Sequence, residues 1–173
     1  MRLIQSIHAF DVFLFGWISR LKYQKLQVAL AKLISKTADG PVYLIFAIAY
    51  GFQGIVERDL VYCMFMAFLI ERPTYFVLKN LFKRRRPTVA LNIPGFIIPS
   101  DQFSFPSGHT SAAFLMATLL SSYYPALLPL LFTWASLVGL ARVVLGVHFP
   151  TDTVIGALMG SSIALISMEF FLQ

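Results

Sequence analysis

The chain has 173 residues, a length for one domain. Hydrophobic residues make up 58% and charged residues 13% of it, against roughly 45–50% and about 25% in soluble globular domains. A small domain exposes too much surface to hide that excess, so the solvent is partly lipid, and disorder, coiled coil, collagen-like repeats and a disulfide-stapled secreted scaffold are excluded. Cys63 is the only cysteine. The net charge of +6 lies between apolar segments, which points to anionic lipid or a phosphorylated substrate and away from nucleic acid.

In chain order, Met1 to Ser19 is partly apolar but carries Gln5, His8 and Asp11 and no small-residue cleavage site, so a removable signal peptide is not expected. From Leu21 to Lys36, Leu26, Leu30, Leu33 and Ile34 are interleaved with Lys22, Lys25, Lys32 and Lys36, the pattern of a basic amphipathic helix on a membrane surface. Asp39-Gly40-Pro41 ends it. Val42 to Val56 is uncharged and nearly crosses a bilayer if flanking residues are recruited. After the polar turn Glu57-Arg58-Asp59, a second span runs from Leu60 to about Phe82, interrupted by Glu71, Arg72 and Pro73. A polar loop from Lys83 to Pro106 follows. The third span runs from about Gly108 to Tyr123, the fourth from Ala126 to about Ala141 and the fifth from Thr151 to Leu172. All are read as helices, since an open sheet cannot satisfy its edges in hydrocarbon.

The expected fold is therefore all-α: a polytopic integral-membrane bundle of about five spans, or six if the N-terminal segment inserts, plus an interfacial amphipathic helix. It forms a single membrane-embedded domain over residues 1–173. Residues 1–39 are its interfacial or partly inserted segment, and residues 40–173 its catalytic bundle. Counting crossings from the second span places Lys79 to Pro106, Arg142 to Asp152 and the N-terminal segment on one side of the membrane.

Three clusters on that side carry chemistry: Lys79 with Arg86-Pro87, Pro106-Ser107-Gly108-His109, and Arg142 with His148 and Asp152. Together they read as a phosphate site. Guanidinium forks match phosphoryl oxygens bidentately, and an ammonium adds a point charge. Ser107 and Gly108 open a helix, so unpaired backbone N–H groups and the positive dipole end face an anion. Two histidines can divide attack on phosphorus from protonation of the leaving oxygen. Asp152, four residues after His148, is placed to hold one ring nitrogen so that the other presents its lone pair, which frees His109 to be the acid. His109, His148 and Asp152 also satisfy the formula of a two-histidine, one-carboxylate metal triad. Three cations nearby argue against a divalent ion, so neither metal nor cofactor is expected.

These three motifs resemble the signature of the type-2 phosphatidic acid phosphatases. The resemblance covers about Lys79 to Asp152 directly and the flanking helices by layout. It implies a metal-independent membrane phosphatase that passes through a phosphohistidine, with His148 as nucleophile, Asp152 orienting it, and His109 as the acid. Lys79, Arg86, Ser107, Gly108 and Arg142 then form the phosphate cradle. One departure is Ala141, where the family commonly has serine, removing a possible hydroxyl donor. Vanadium-dependent haloperoxidases share the cradle but are soluble, contrary to this hydropathy.

The expected reaction is hydrolysis of a phosphomonoester or diphosphate on a membrane lipid. A soluble phosphate ester as substrate, and a non-catalytic lipid-phosphate binder or transporter, are the alternatives. Lys83, Arg84 and Arg85 are read as contacts to the anionic bilayer surface, with a second phosphate as the alternative, and Phe96-Ile97-Ile98 either as a segment dipping into the interface beside a lateral entrance or, equally, as packing on the helix ends. Glu71 is read either as orienting the basic cluster or as a structural ion-pair partner. The catalytic side carries twelve of the fourteen Lys and Arg residues, which by the positive-inside tendency faces the cytoplasm. The resemblance implies instead an outer-face site in a bacterial cytoplasmic membrane, and that is the orientation expected here.

Overall fold

The computed structural model describes residues 2–19, 24–52, 54–99 and 101–171. It is all-helical: α1 (Arg2–Ser19), α2 (Gln24–Lys36), α3 (Gly40–Gly51), α4 (Ile55–Phe82), the short α5 (Pro87–Ala90), α6 (Gly108–Tyr123), α7 (Leu128–Val144) and α8 (Pro150–Phe171). A 3₁₀ turn at Pro125–Leu127 leads into α7. Among the described residues, three stretches are long and apolar enough to cross a membrane: Arg58–Phe82, Pro125–Val144 and Pro150–Phe170. The other two expected spans fall on α3 and α6, of 12 and 16 residues. At 1.5 Å per residue these measure about 18 and 24 Å, short of a hydrocarbon core of about 30 Å. Leu21 and Leu172, limits of two expected segments, lie outside the described residues.

The helix boundaries follow local chemistry. Pro41 sits in the first turn of α3 and Pro150 opens α8, positions where a missing N–H costs nothing. Lys83 closes α4 in a left-handed conformation. Along α4, Leu60, Cys63, Met64, Ala67, Glu71, Tyr75 and Lys79 form one buried stripe, spaced three or four residues apart. Tyr62, Phe65, Leu69, Phe76 and Leu81 project from the other faces and stay exposed, an apolar surface suited to lipid.

The innermost helix is α6, enclosed by α8, α7 and α4. Its closest neighbour is α8, through Gly156 and Gly160. A Cβ at these positions would stand 2.6 Å from the Ser107 carbonyl oxygen and 2.0 Å from that of Ser111. Only glycine permits such an approach, the small-xxx-small device of membrane helices. It fixes the start of α8, with Asp152, beside the start of α6, with Ser107.

The N-terminal helices pack on the same end: α2 on α7, and α1 on α7 and α8. Asp11 of α1 is fully buried and accepts from the Thr151 amide at 3.0 Å and from Arg84 at 2.5 Å. Leu26, Leu30 and Leu33 of α2 and Phe10, Phe13 and Trp17 of α1 remain outward and exposed.

Candidate active site

The site forms where the ends of α4 and α7 meet the beginnings of α6 and α8. Lys79 lies in the last turn of α4, and Arg86 precedes α5. The loop after α5 folds back so that the Ser104 amide donates to the Arg84 carbonyl at 2.8 Å and Phe103 bridges Arg85. Ser107 precedes α6. Its amide donates to the Asp152 carbonyl at 3.0 Å and its hydroxyl pairs with that of Thr110 at 2.8 Å. The Ser107 amide expected to meet an anion is thus already engaged, and the donors left are the first-turn amides of Gly108 and His109, which lack an intrahelical acceptor. Gly108 lets Tyr75 approach: a Cβ there would lie 2.8 Å from the Tyr75 ring.

His148 sits in the turn between α7 and α8, 2% exposed. Its Nδ1 donates to the Ser104 carbonyl at 2.6 Å, whereas Asp152 Oδ2 is 3.9 Å away. The direct Asp152–imidazole hydrogen bond expected from the spacing is therefore not made. Asp152 acts on the backbone instead: Oδ2 accepts from the Phe149 amide at 2.8 Å and Oδ1 from Arg84 at 2.7 Å. With Nδ1 donating, Nε2 keeps its lone pair and has no protein hydrogen bond among the described residues. Burial, then the charges of Arg142, Arg86 and Lys79, hold His148 well below its ordinary titration range, so the ring is neutral at physiological pH.

Lys79, Arg86 and Arg142 are all buried around this ring. Asp101 joins the first two: Lys79 Nζ donates to its Oδ2 at 2.7 Å, Arg86 pairs with its Oδ1, and the Tyr75 hydroxyl donates to Oδ2 at 2.7 Å. Burial opposes the charge on Asp101, but hydrogen bonds from Lys79 and Tyr75 and the nearby cations outweigh it, so the carboxyl is held below its usual range. Arg86 also donates to the Val147 carbonyl at 2.7 Å. Arg142 donates to the Ser35 hydroxyl at 2.7 Å, and its buried Nε has no partner among the described residues. His109 pairs through Nε2 with Asp39 at 3.0 Å. Among the described residues, no group of three His, Cys, Asp or Glu side chains is placed to hold a metal ion.

Arg84 corrects another expectation. Rather than reaching the bilayer surface, it bridges buried Asp11 and Asp152 and lies 4.4 Å over the Phe149 ring. The apolar run in the loop also divides: Phe96 and Ile97 pack against the cluster around Ala31 and Leu145, and only Ile98 is exposed. Asp101, Asp39, Ser35 and the Ser104 carbonyl are partners that sequence reasoning missed.

A cavity of about 360 Å³ collects Arg86, Asp101, His109, Arg142 and His148 at one end and is lined by Leu44, Ala47, Phe65 and Phe68 of α3 and α4 at the other. A second, of about 420 Å³, shares His109 and Arg142 but is bordered by Lys32, Lys36 and Ile98. The site thus has an apolar and a polar approach.

Such a fold is that of a helical membrane protein in which three buried cations surround a neutral histidine. Residues 56–173 match the family model of the PAP2 superfamily, and the chain belongs to that superfamily. Over 97 residues it is 35% identical to the decaprenylphosphoryl-5-phosphoribose phosphatase of Mycobacterium tuberculosis (strain ATCC 25618 / H37Rv), covering 52% of this chain and 49% of that protein. It is 33% identical over 108 residues to phosphatidylglycerophosphatase B of Bacillus subtilis (strain 168), covering 56% and 51%. The chain therefore spans about half the length of the curated relatives it matches. Among solved structures, Aquifex aeolicus LpxE superposes with a TM-score of 0.79 and 29% identity over 90% of this chain and 93% of that one. A Bacillus subtilis transmembrane PAP2-type phosphatidylglycerolphosphate phosphatase has a TM-score of 0.78 at 23% identity, over 95% and 86%, a likeness of fold.

Proposed function

We propose that the protein hydrolyses a phosphomonoester or diphosphate on a membrane lipid, without metal, through a phosphohistidine. The observation that carries this is that neutral His148 and the buried cations Arg86 and Arg142 line one cavity that is otherwise largely apolar. The lipid enters between α3 and α4 with its tail in the bilayer. Its phosphoryl oxygens take Lys79, Arg86, Arg142 and the first-turn amides of α6, displacing Asp101 from the first two. Nε2 of His148 attacks phosphorus while His109 gives its proton to the departing oxygen. Water then attacks phosphorus and the phosphorus–nitrogen bond breaks to return neutral His148, His109 accepts the water's proton, and phosphate leaves by the polar approach beside Lys32 and Lys36. The three cations supply the charge stabilisation that a divalent ion provides elsewhere.

The test is phosphate release by the purified protein in detergent, from lipid phosphomonoesters, lipid diphosphates and a soluble ester, with and without chelator. Chelator-insensitive turnover that favours lipids is expected. Loss of activity with chelator and its rescue by one divalent metal would overturn the metal-free reaction.

In this reading α3 and α6, extended by flanking residues, complete five spans, and the site faces the outside of a bacterial cytoplasmic membrane. In a Cys63→Ala background, an impermeant maleimide applied to intact cells should label Asn92→Cys. Labelling of Glu57→Cys alone would reverse the orientation.

A further inference from the structure

His109 lines both cavities, and Asp39 lines the polar one. The Asp39 carboxylate accepts from Nε2 of His109 at 3.0 Å. Its local task is missing. Asp39 occupies the N-cap of α3 in extended backbone, where an aspartate ordinarily accepts from an amide two or three residues on. Here the first of those residues is Pro41, which has no N–H, and the Val42 amide donates to the main-chain carbonyl of Asp39 at 3.0 Å. The side chain makes no capping bond. Asp39 also lies outside residues 56–173, the part of the chain that matches the family model.

The chain around Asp39 is pinned to the bundle. The Ser35 hydroxyl accepts from Arg142 at 2.7 Å, the Thr37 hydroxyl accepts from the Trp134 indole at 2.8 Å, and Ala38 between them and Asp39 is buried. Alternate residues of one strap, 35–39, thus reach Arg142, Trp134 and His109. A histidine that protonates a leaving oxygen carries a positive charge beforehand. His109 must do so in a cavity shared with Arg86 and Arg142, and with Lys32 and Lys36 beside the other cavity, so the imidazolium needs a countercharge. Asp101 is committed to Lys79 and Arg86. We infer that Asp39 is a positioning residue for the acid step: it keeps one proton on Nε2 of His109, supplies the countercharge, and leaves Nδ1 as the nitrogen that exchanges. Nδ1 has no protein hydrogen bond among the described residues. This rests on the lipid-phosphatase reading and deepens it. The Nδ1 proton passes to the departing oxygen, the freed lone pair takes the proton of the attacking water, and the Nε2 proton stays toward Asp39 throughout.

The test uses the full chain in detergent and two esters: a phosphatidic acid, whose alcohol leaves only with a proton, and an alkyl-chain nitrophenyl phosphate, whose phenolate leaves without one. The quantity read is kcat/KM, which reports phosphoryl transfer to the enzyme and not the later hydrolysis. Asp39→Asn should lower it about tenfold for the first, the scale of one charged hydrogen-bonding contact, and less than about twofold for the second. Equal losses on both esters would overturn the role in favour of a structural one. Ring nitrogen spectra of protein labelled with ¹⁵N at histidine decide independently of turnover, the signals being assigned with His8→Ala and His148→Ala. In the wild type Nε2 of His109 should stay protonated across the titration while Nδ1 gains and loses its proton, and in Asp39→Ala the neutral ring should divide its proton between the two nitrogens. A neutral wild-type ring protonated on Nδ1 would refute the proposal. Failure of the wild type to hydrolyse either ester would count against the reaction and leave the spectra to decide the pairing.

Discussion

Replacing Arg84 by Gln tests whether this residue serves the fold or the bilayer surface. The guanidinium holds two carboxylates, Asp11 and Asp152, both fully buried, while its own side chain is 21% exposed. Removing one member of a buried ion pair costs about 3–5 kcal/mol. The low end applies, because Asp11 keeps its bonds from Thr151 and Asp152 keeps the Phe149 amide. A loss of about 3 kcal/mol corresponds to a fall in Tm of about 6–12 °C for a chain of this length. The measurement is residual folded protein after heating at one fixed rate in one detergent, since membrane proteins commonly unfold irreversibly. Arg84→Gln combined with Asp11→Asn should recover part of the loss, because the second change removes a carboxylate left uncompensated by the first. Activity should fall together with stability, since Asp152 fixes the turn that carries His148. A Tm shift under about 2 °C, with weaker binding to anionic vesicles, would refute the buried bridge and return Arg84 to the membrane surface.

His148→Ala should abolish turnover, whereas His109→Ala should slow it less for a leaving group that needs no proton; near-normal activity of His148→Ala would remove the nucleophile assignment. Because His148 is held neutral well below 6.5, the pH profile for such a leaving group should not lose activity at 6.5 on its account. Holding the ring neutral also contributes stability that is complete above 6.5 and declines as pH falls, since the unfolded chain takes up the proton first; melting curves across that range check the sign. Asp101→Asn should lower the inhibition constant of inorganic vanadate about tenfold by freeing Lys79 and Arg86 from a carboxylate, and a higher constant would show instead that Asp101 positions them. Gly160→Ala should cost about 1–3 kcal/mol, because its Cβ would meet the Ser111 carbonyl at 2.0 Å, whereas Gly16→Ala, with nothing within 4 Å, should be neutral in the same melting assay.

The sequence made the long apolar runs visible because hydrocarbon demands them, and three such stretches lie among the described residues. It also made the charged motif residues conspicuous: Lys79, Arg86, Arg142 and His148 all end up buried in one place, as their rarity in so apolar a chain implied. Their partners were illegible for a physical reason. The acceptor on His148 is the main-chain carbonyl of Ser104, and a carbonyl carries no side-chain signature. Asp39 and Asp101 are ordinary loop carboxylates until folding places them against residues distant in the chain. Arg84 stands in a run of four basic residues that reads as a surface patch, and only the docking of α1, 73 positions earlier, reveals its two acceptors. The close α6–α8 contact was legible in principle as Gly156-xxx-Gly160, a spacing that gains meaning once both helices are known to be neighbours.

Charge balance links these hidden partners to the reaction. Three buried cations around a neutral imidazole would repel one another strongly where water is scarce. The single Asp101 carboxylate pairs with both Lys79 and Arg86 and offsets one of their two charges, and Ser35 gives Arg142 a dipole but no countercharge. In the proposed reaction the arriving phosphate would exchange with Asp101 at two cations, where one positive charge is left uncompensated, and would meet at Arg142 a cation with no carboxylate bonded to it. A phosphoryl group with two negative charges gains from all three contacts, whereas a diester headgroup with one must compete on equal terms with a carboxylate already in place. In a bilayer crowded with diester lipids, that exchange would keep the phosphoryl site open to phosphomonoesters and diphosphates.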